Sequence, residues 1–175
     1  MARDYIARDP RTGKSIRRRG TKVDVDIRRM LPPAGLWQRI PVHEILPLAR
    51  GDSDGLQLTR GQGGGFARRV DAIQALHRVM QSQIDDAHEV LLDALDDDES
   101  DNRIVALRAL PVFALKRHDG LLQCLSDRLL DEDPRVEGAA RDCLLKVAPV
   151  FPSGCEGILR RELRDQMKDR RANAF

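Results

Sequence analysis

Four histidines and three cysteines are the side chains best suited to proton transfer, metal ligation or nucleophilic attack, and their spacing offers none of these. His43, His77, His88 and His118 are scattered, with no repeated His or Cys pairing at metal-ligand intervals. Cys124, Cys143 and Cys155 form no C-x-x-C pair, and their odd number suits buried structural thiols better than a disulfide framework. G-x-S-x-G, H-E-x-x-H and a Cys/His nucleophile arrangement do not occur. His118-Asp119 reads as a turn between helices. The sequence therefore assigns no catalytic residue, metal ligand or cofactor, and reads as that of a protein that is not an enzyme.

Three charged or glycine-rich stretches have the composition of ion or phosphate sites. Thr12-Gly13-Lys14-Ser15 resembles the end of a phosphate-binding loop, but the loop needs a glycine where Arg8 stands, and no apolar strand precedes it. The run Gly61-Gln62-Gly63-Gly64-Gly65 lacks the following Lys-Ser/Thr and reads as a flexible hinge. Asp96-Asp97-Asp98-Glu99-Ser100-Asp101 lacks the alternate carboxylates, central glycine and closing glutamate of a calcium loop, so it reads as a solvated turn able to attract a basic surface.

Charge is unevenly placed. Residues 1–66 carry 13 Lys and Arg against 7 Asp and Glu, a balance of +6, whereas residues 67–175 carry 17 against 21, a balance of −4. The basic side chains Lys14, Arg17, Arg18, Arg19 and Lys22 lie close enough together to neutralise several phosphates or an acidic protein surface; a solvated tail is the alternative. After this tail, residues 31–48 hold four prolines, which forbid a long helix, yet the segment is too apolar for a spacer. A turn of helix over Pro41–Leu46 is expected, with Pro41 opening it. Trp37, Ile40, Ile45 and Leu46 must be buried either against the chain's own next element or as a docking motif in another subunit.

The element following this segment is repetitive. Leu76, Leu110 and Leu144 recur at 34 residues, as do Ala72, Ala106 and Ala140, and also Ala75, Ala109 and Cys143. Val79, Phe113 and Val147 keep the same step, and a second set, Leu91, Leu125, Leu159 and Leu95, Leu129, Leu163, follows in phase. Each unit thus carries two apolar stripes at helical spacing, a helix, a turn and a helix, three times over. A fixed period of this length marks an array in which no unit buries its apolar face alone. Expected helices run over residues 66–81 and 85–95 in unit one. In unit two Asp101 is the expected cap, Pro111 should kink the first helix, and the second helix should span 119–130. In unit three Asp133 and Pro134 should cap and open the first helix, Pro149 and Pro152 should end it, and Ser153 should cap the last.

The 34-residue length alone would also suit tetratricopeptide repeats. In that register the position after each leucine should be small but holds His77, Pro111 and Leu145, and the second-helix alanine position holds Glu89, Gln123 and Gly157. The units instead resemble HEAT-like repeats, which often open with an acidic turn and Pro, Val and Arg before an Ala-Ala pair and leucine. Unit three is nearest, with Asp131-Glu132-Asp133-Pro134-Arg135-Val136, Ala139-Ala140 and Leu144. Unit two has Asp101-Asn102-Arg103-Ile104 with one alanine, and unit one lacks the acidic turn. The resemblance covers about residues 67–169 and implies architecture only. Some HEAT-like proteins are enzymes, bilin lyases and alkylpurine DNA glycosylases among them, with a concave site on a longer array.

Aromatics are 3% and charged residues 33%, a balance suited to thin helical stacking. No apolar run approaches a bilayer span, and no apolar signal core opens the chain, which points to a soluble intracellular protein. The expected fold is all-α: a basic extended tail over 1–30, a Pro/Gly-rich docking segment and hinge over 31–65, and a three-repeat HEAT-like α-solenoid over 66–175 behind a mostly irregular arm. The expected function is that of a non-catalytic structural subunit binding other protein subunits of a large complex. The alternatives are an RNA-contacting ribosomal or other ribonucleoprotein component, and a HEAT-like enzyme accessory or lyase.

Overall fold

The computed structural model describes residues 5–8, 15–18, 35–114 and 120–172, with side chains described over 35–114 and 120–165. Within these the protein is mostly helical, with little strand. Strands β1 (Tyr5–Arg8) and β2 (Ser15–Arg18) pair antiparallel, with Tyr5 opposite Arg18 and Arg8 opposite Ser15, so part of the arm expected to be irregular is a strand pair.

A one-turn 3-10 helix, Leu36–Gln38, is followed by α1, Val42–Arg50. Pro41 caps α1 instead of opening it, and the helix runs on past Leu46 through Pro47 to Gly51. There the backbone turns left-handed (φ 85°), and the Gly51 and Asp52 N–H groups close on the carbonyls of Leu48 and Pro47. The Pro/Gly-rich segment is thus a folded helical element.

Gly61–Gly65 is not a loose hinge. Strands β3 (Leu56–Gln57) and β4 (Phe66–Ala67) pair antiparallel on either side of it, and the Leu58 N–H donates to the Gly65 carbonyl at 2.9 Å. Gly63, Gly64 and Gly65 have φ of 87°, 66° and 103°, a left-handed run that other residues adopt at a cost. The glycines serve the turn geometry.

Unit one comprises α2 (Arg69–Ala75), which tightens into a 3-10 turn over Leu76–Arg78, and α3 (Ile84–Asp93), which does the same over Ala94–Asp96. The start expected at Phe66 falls instead in β4. The Asp71 carboxylate accepts from the Arg68 N–H at 2.9 Å and sets the later start. Unit two is α4 (Ser100–Ala114) and α5 (Leu121–Arg128). Asp101 lies in the first turn of α4 rather than capping it. The helix continues unbroken through Pro111, which sits in its last turn and removes a single N–H from the ladder. Gly120, with φ 90°, opens α5. Unit three is α6 (Pro134–Val147) and α7 (Pro152–Ala172). Asp133 caps α6 by accepting from the Arg135 N–H at 2.8 Å, Pro134 is its first residue, and Ser153 lies inside α7.

The first helices α2, α4 and α6 lie side by side in that order, and α1 covers α2 and α3 at the near end. One contiguous apolar cluster runs from Trp37 to Ile158. Leu76, Leu110, Leu144, Leu91 and Leu125 are buried in it, each removing a side chain worth roughly 2 kcal/mol from water. Leu159 is not: it is 40% exposed. Helices α5 and α7 approach closely at Gly154, where an added Cβ would come within 2.3 Å of a Leu122 methyl.

Candidate partner-binding surfaces

Every side chain assigned to docking from the sequence and described here is folded inward. Trp37, Ile40, Ile45 and Leu46 are buried against unit one, and Trp37 meets the His77 ring edge-on at 4.9 Å. Arg78 fastens the segment by donating from Nη1 to the carbonyls of Trp37 (2.9 Å) and Ile40 (2.7 Å), and the Arg69 Nε donates to the Ala49 carbonyl at 3.0 Å. The structure adopts the intramolecular of the two arrangements. These four residues present no apolar face to a partner, because an isolated first helix would leave Ala72 and Ile73 wet.

Of the basic cluster, Arg17 and Arg18 lie on β2, while Lys14, Arg19 and Lys22 fall outside the described residues.

The acidic turn between units one and two is more than solvated surface. Asp97 pairs with Arg69 and accepts from the Glu99 N–H at 2.9 Å and the Asn102 amide at 3.2 Å. One unit later, Asp131 accepts from Arg103 at 2.9 Å, from Arg128 at 3.3 Å and from the Asp133 N–H at 3.0 Å. In both turns the partners are separated by 28 residues. Burial pushes the Asp131 carboxyl up, but the Asp133 N–H and the Arg103 guanidinium outweigh it and hold it below the ordinary value. Neither arginine was singled out from the sequence. The signal was there, since Arg69 and Arg103, like Asp97 and Asp131, keep the same step as the leucines.

Beside this turn is a cleft of about 430 Å³, lined by Asp54, Arg68, Arg69, Asp98, Glu99 and Asp101 among others. Its excess of carboxylates suits a cationic side chain. A smaller groove of about 150 Å³ lies between α5 and α7, lined by Leu129, Leu130 and Ile158 with Glu137, Arg161 and Asp165 at its edges.

Among the described residues no group of three or more His, Cys, Asp or Glu side chains is placed to hold a metal, and no helix is long and apolar enough to cross a membrane. His43 is exposed beside Glu44, His88 packs near the Phe113 ring at 6.3 Å, and His118 falls outside the described residues. Burial pushes the Cys143 thiol up to about 12, and raises Cys124 and Cys155 as well, so none carries an activated thiolate. Compared with known proteins, the chain matches no family model, no curated sequence and no solved structure.

Proposed function

We propose that this chain is a short HEAT-like α-solenoid acting as a non-catalytic structural subunit, one that offers its stacked helices to partner proteins and is anchored by its basic N-terminal arm. The observation that carries the reading is the Arg–Asp lock repeated at the interval of the leucines, Arg69 on Asp97 and Arg103 on Asp131. A lock that ties the start of each unit's first helix to the turn entering the next gives a rigid array, whose extended surface suits binding. The arm's charge balance of +6 over residues 1–66 favours a second form of the same reading, in which the partner is RNA of a ribonucleoprotein particle. The third reading, an accessory or lyase-like HEAT protein, has no specific observation in its favour.

Affinity purification of the full chain from its native cells, with protein identification and a 260 nm absorbance on the same eluate, separates these. Discrete protein partners with little 260 nm absorbance support the scaffold, and RNA that leaves steeply with rising salt supports the ribonucleoprotein form. Replacing Arg17, Arg18 and Arg19 together with Ser should release the partner without lowering the melting temperature. A chain purified without company, or a triple variant that retains it at all salt concentrations, would sink the role given to the arm.

A further inference from the structure

The pairing of β1 with β2 sorts the basic residues of the arm in a way that their sequence order does not. Residues opposite each other in an antiparallel ladder share a face, and successive residues alternate between faces. Tyr5 stands opposite Arg18 and Ala7 opposite Ile16, so these four share one face. Ile6 stands opposite Arg17 and Arg8 opposite Ser15, so those four share the other. Arg8 and Arg17, nine positions apart in the sequence, thus become diagonal neighbours, and Arg18 is placed on the reverse of the ribbon from Arg17.

The composition of the second face suits phosphates. Arg8 and Arg17 supply guanidinium forks that match phosphate oxygens, Ser15 opposite Arg8 adds a hydroxyl donor, and the ladder sets the two arginines about 7–8 Å apart. The eight paired residues hold three arginines and no Asp or Glu, and residues 1–22 hold 8 Lys and Arg against 2 Asp and Glu. An acidic protein surface carries its charges at irregular intervals. A nucleic acid repeats them, one phosphate per roughly 3.4 Å of axis along each strand, so two guanidiniums at a fixed spacing find phosphates in many registers. Tyr5 is the only aromatic residue before Trp37, and the register puts it on the opposite face from Arg8 and Arg17. Single strands are held by stacking bases on aromatic rings, which this face does not contain, whereas a two-stranded ribbon is a shape that a duplex groove admits.

We infer that the β1–β2 ribbon grips the phosphates of a nucleic-acid duplex through Arg8, Ser15 and Arg17, with Arg18 outside the contact. The inference rests on the ribonucleoprotein form of the function proposed above and narrows it in two ways. The phosphates belong to paired strands, and the site is completed by Arg8, which lies outside the basic run from Lys14 to Lys22. Contacts to phosphate carry no base identity, so binding follows duplex shape and salt, not base sequence.

Fluorescence anisotropy of the full chain tests it, with a short labelled RNA duplex, a B-DNA duplex of the same sequence, one of the single strands, and polyglutamate as an unlabelled competitor. A duplex should bind more tightly than the single strand, and polyglutamate at equal charge concentration should displace little of it; which duplex binds better tells RNA from DNA. Arg8→Ser and Arg17→Ser should each weaken duplex binding roughly 10-fold at about 50 mM salt and flatten the plot of log K against log salt by about one unit, as the loss of one phosphate contact does. Arg18→Ser removes the same charge and should change the constant less than about 2-fold. All three variants lose one positive charge, so only the register of the ribbon separates them. Equal losses from Arg18→Ser and Arg17→Ser, or a single strand bound as tightly as the duplexes, overturn the inference and leave an RNA-anchored arm standing. Failure to bind any of the nucleic acids at about 50 mM salt, or ready displacement by polyglutamate, overturns both.

Discussion

Arg103 on α4 and Asp131 in the turn before α6 form an ion pair at 2.9 Å, with only 7% and 3% of their side chains reaching solvent. Arg103 also donates to the carbonyls of Asp97 at 2.8 Å and Asp98 at 3.1 Å, so one guanidinium joins two successive inter-unit turns.

Removing one member leaves the other charge buried and unmatched. Asp131→Asn should therefore cost roughly 3–5 kcal/mol, read by urea unfolding. Arg69→Ala, whose side chain is one-third exposed, should cost less, about 1–3 kcal/mol for the Asp97 carboxylate that it strands. Equal costs at the two sites would mean that burial does not set the strength of the lock.

Acid should loosen the same turn. Asp133, hydrogen-bonded by Arg135, is held at about 2, and Asp131 also lies below its ordinary value of 3.8. Folded-state values that are depressed contribute stability above about pH 4 that disappears as pH falls towards 2. Melting followed from pH 5 to 2 should show this loss, and Asp131→Asn should shrink it; an unchanged slope in that variant would remove Asp131 from the account.

His77 should give a second, separate pH dependence. Burial lowers its pKa from 6.5, the Arg78 charge adds to the lowering, and the hydrogen bond to the Gln74 carbonyl opposes both. The unfolded chain therefore binds the proton more readily, and stability should fall as pH drops through about 6.5 until the folded-state value is reached. His77→Gln should flatten the melting temperature between pH 7 and 5. A variant with the wild-type slope there would show that another group titrates.

The cover on unit one should be structural. Trp37→Ala should cost about 3–5 kcal/mol, and Arg78→Ala, which strands the Trp37 and Ile40 carbonyls, about 1–3 kcal/mol per orphaned acceptor. Chemical denaturation of the full chain checks both. If Trp37→Ala melts like the wild type, the segment is not holding unit one together.

Burial divides the aligned leucines. Leu110→Ala should cost roughly 2–5 kcal/mol through its cavity, whereas Leu159→Ala should cost well under about 1 kcal/mol. Equal costs would contradict the exposure of Leu159.

Much of the helical architecture was legible in the residues themselves, because a step of 34 in leucine and alanine is a local pattern repeated. Asp133 and Pro134 announced the start of α6 by chemistry acting over a few residues. Whatever depended on a neighbour was not legible. Leu125 and Leu159 are the same residue at the same place in the repeat, yet they are 0% and 40% exposed, and α5, which carries Leu125, packs against both helices of unit three. Trp37 and Ile40 were bound to be buried, but which surface buries them was settled by Arg78 reaching across 41 and 38 residues to their carbonyls. Pro111 reads as a kink from its missing N–H, yet it lies in the last turn of α4, where that loss removes little of the ladder. Composition and period fix which side chains must leave water, whereas the packing of elements distant in sequence decides against what.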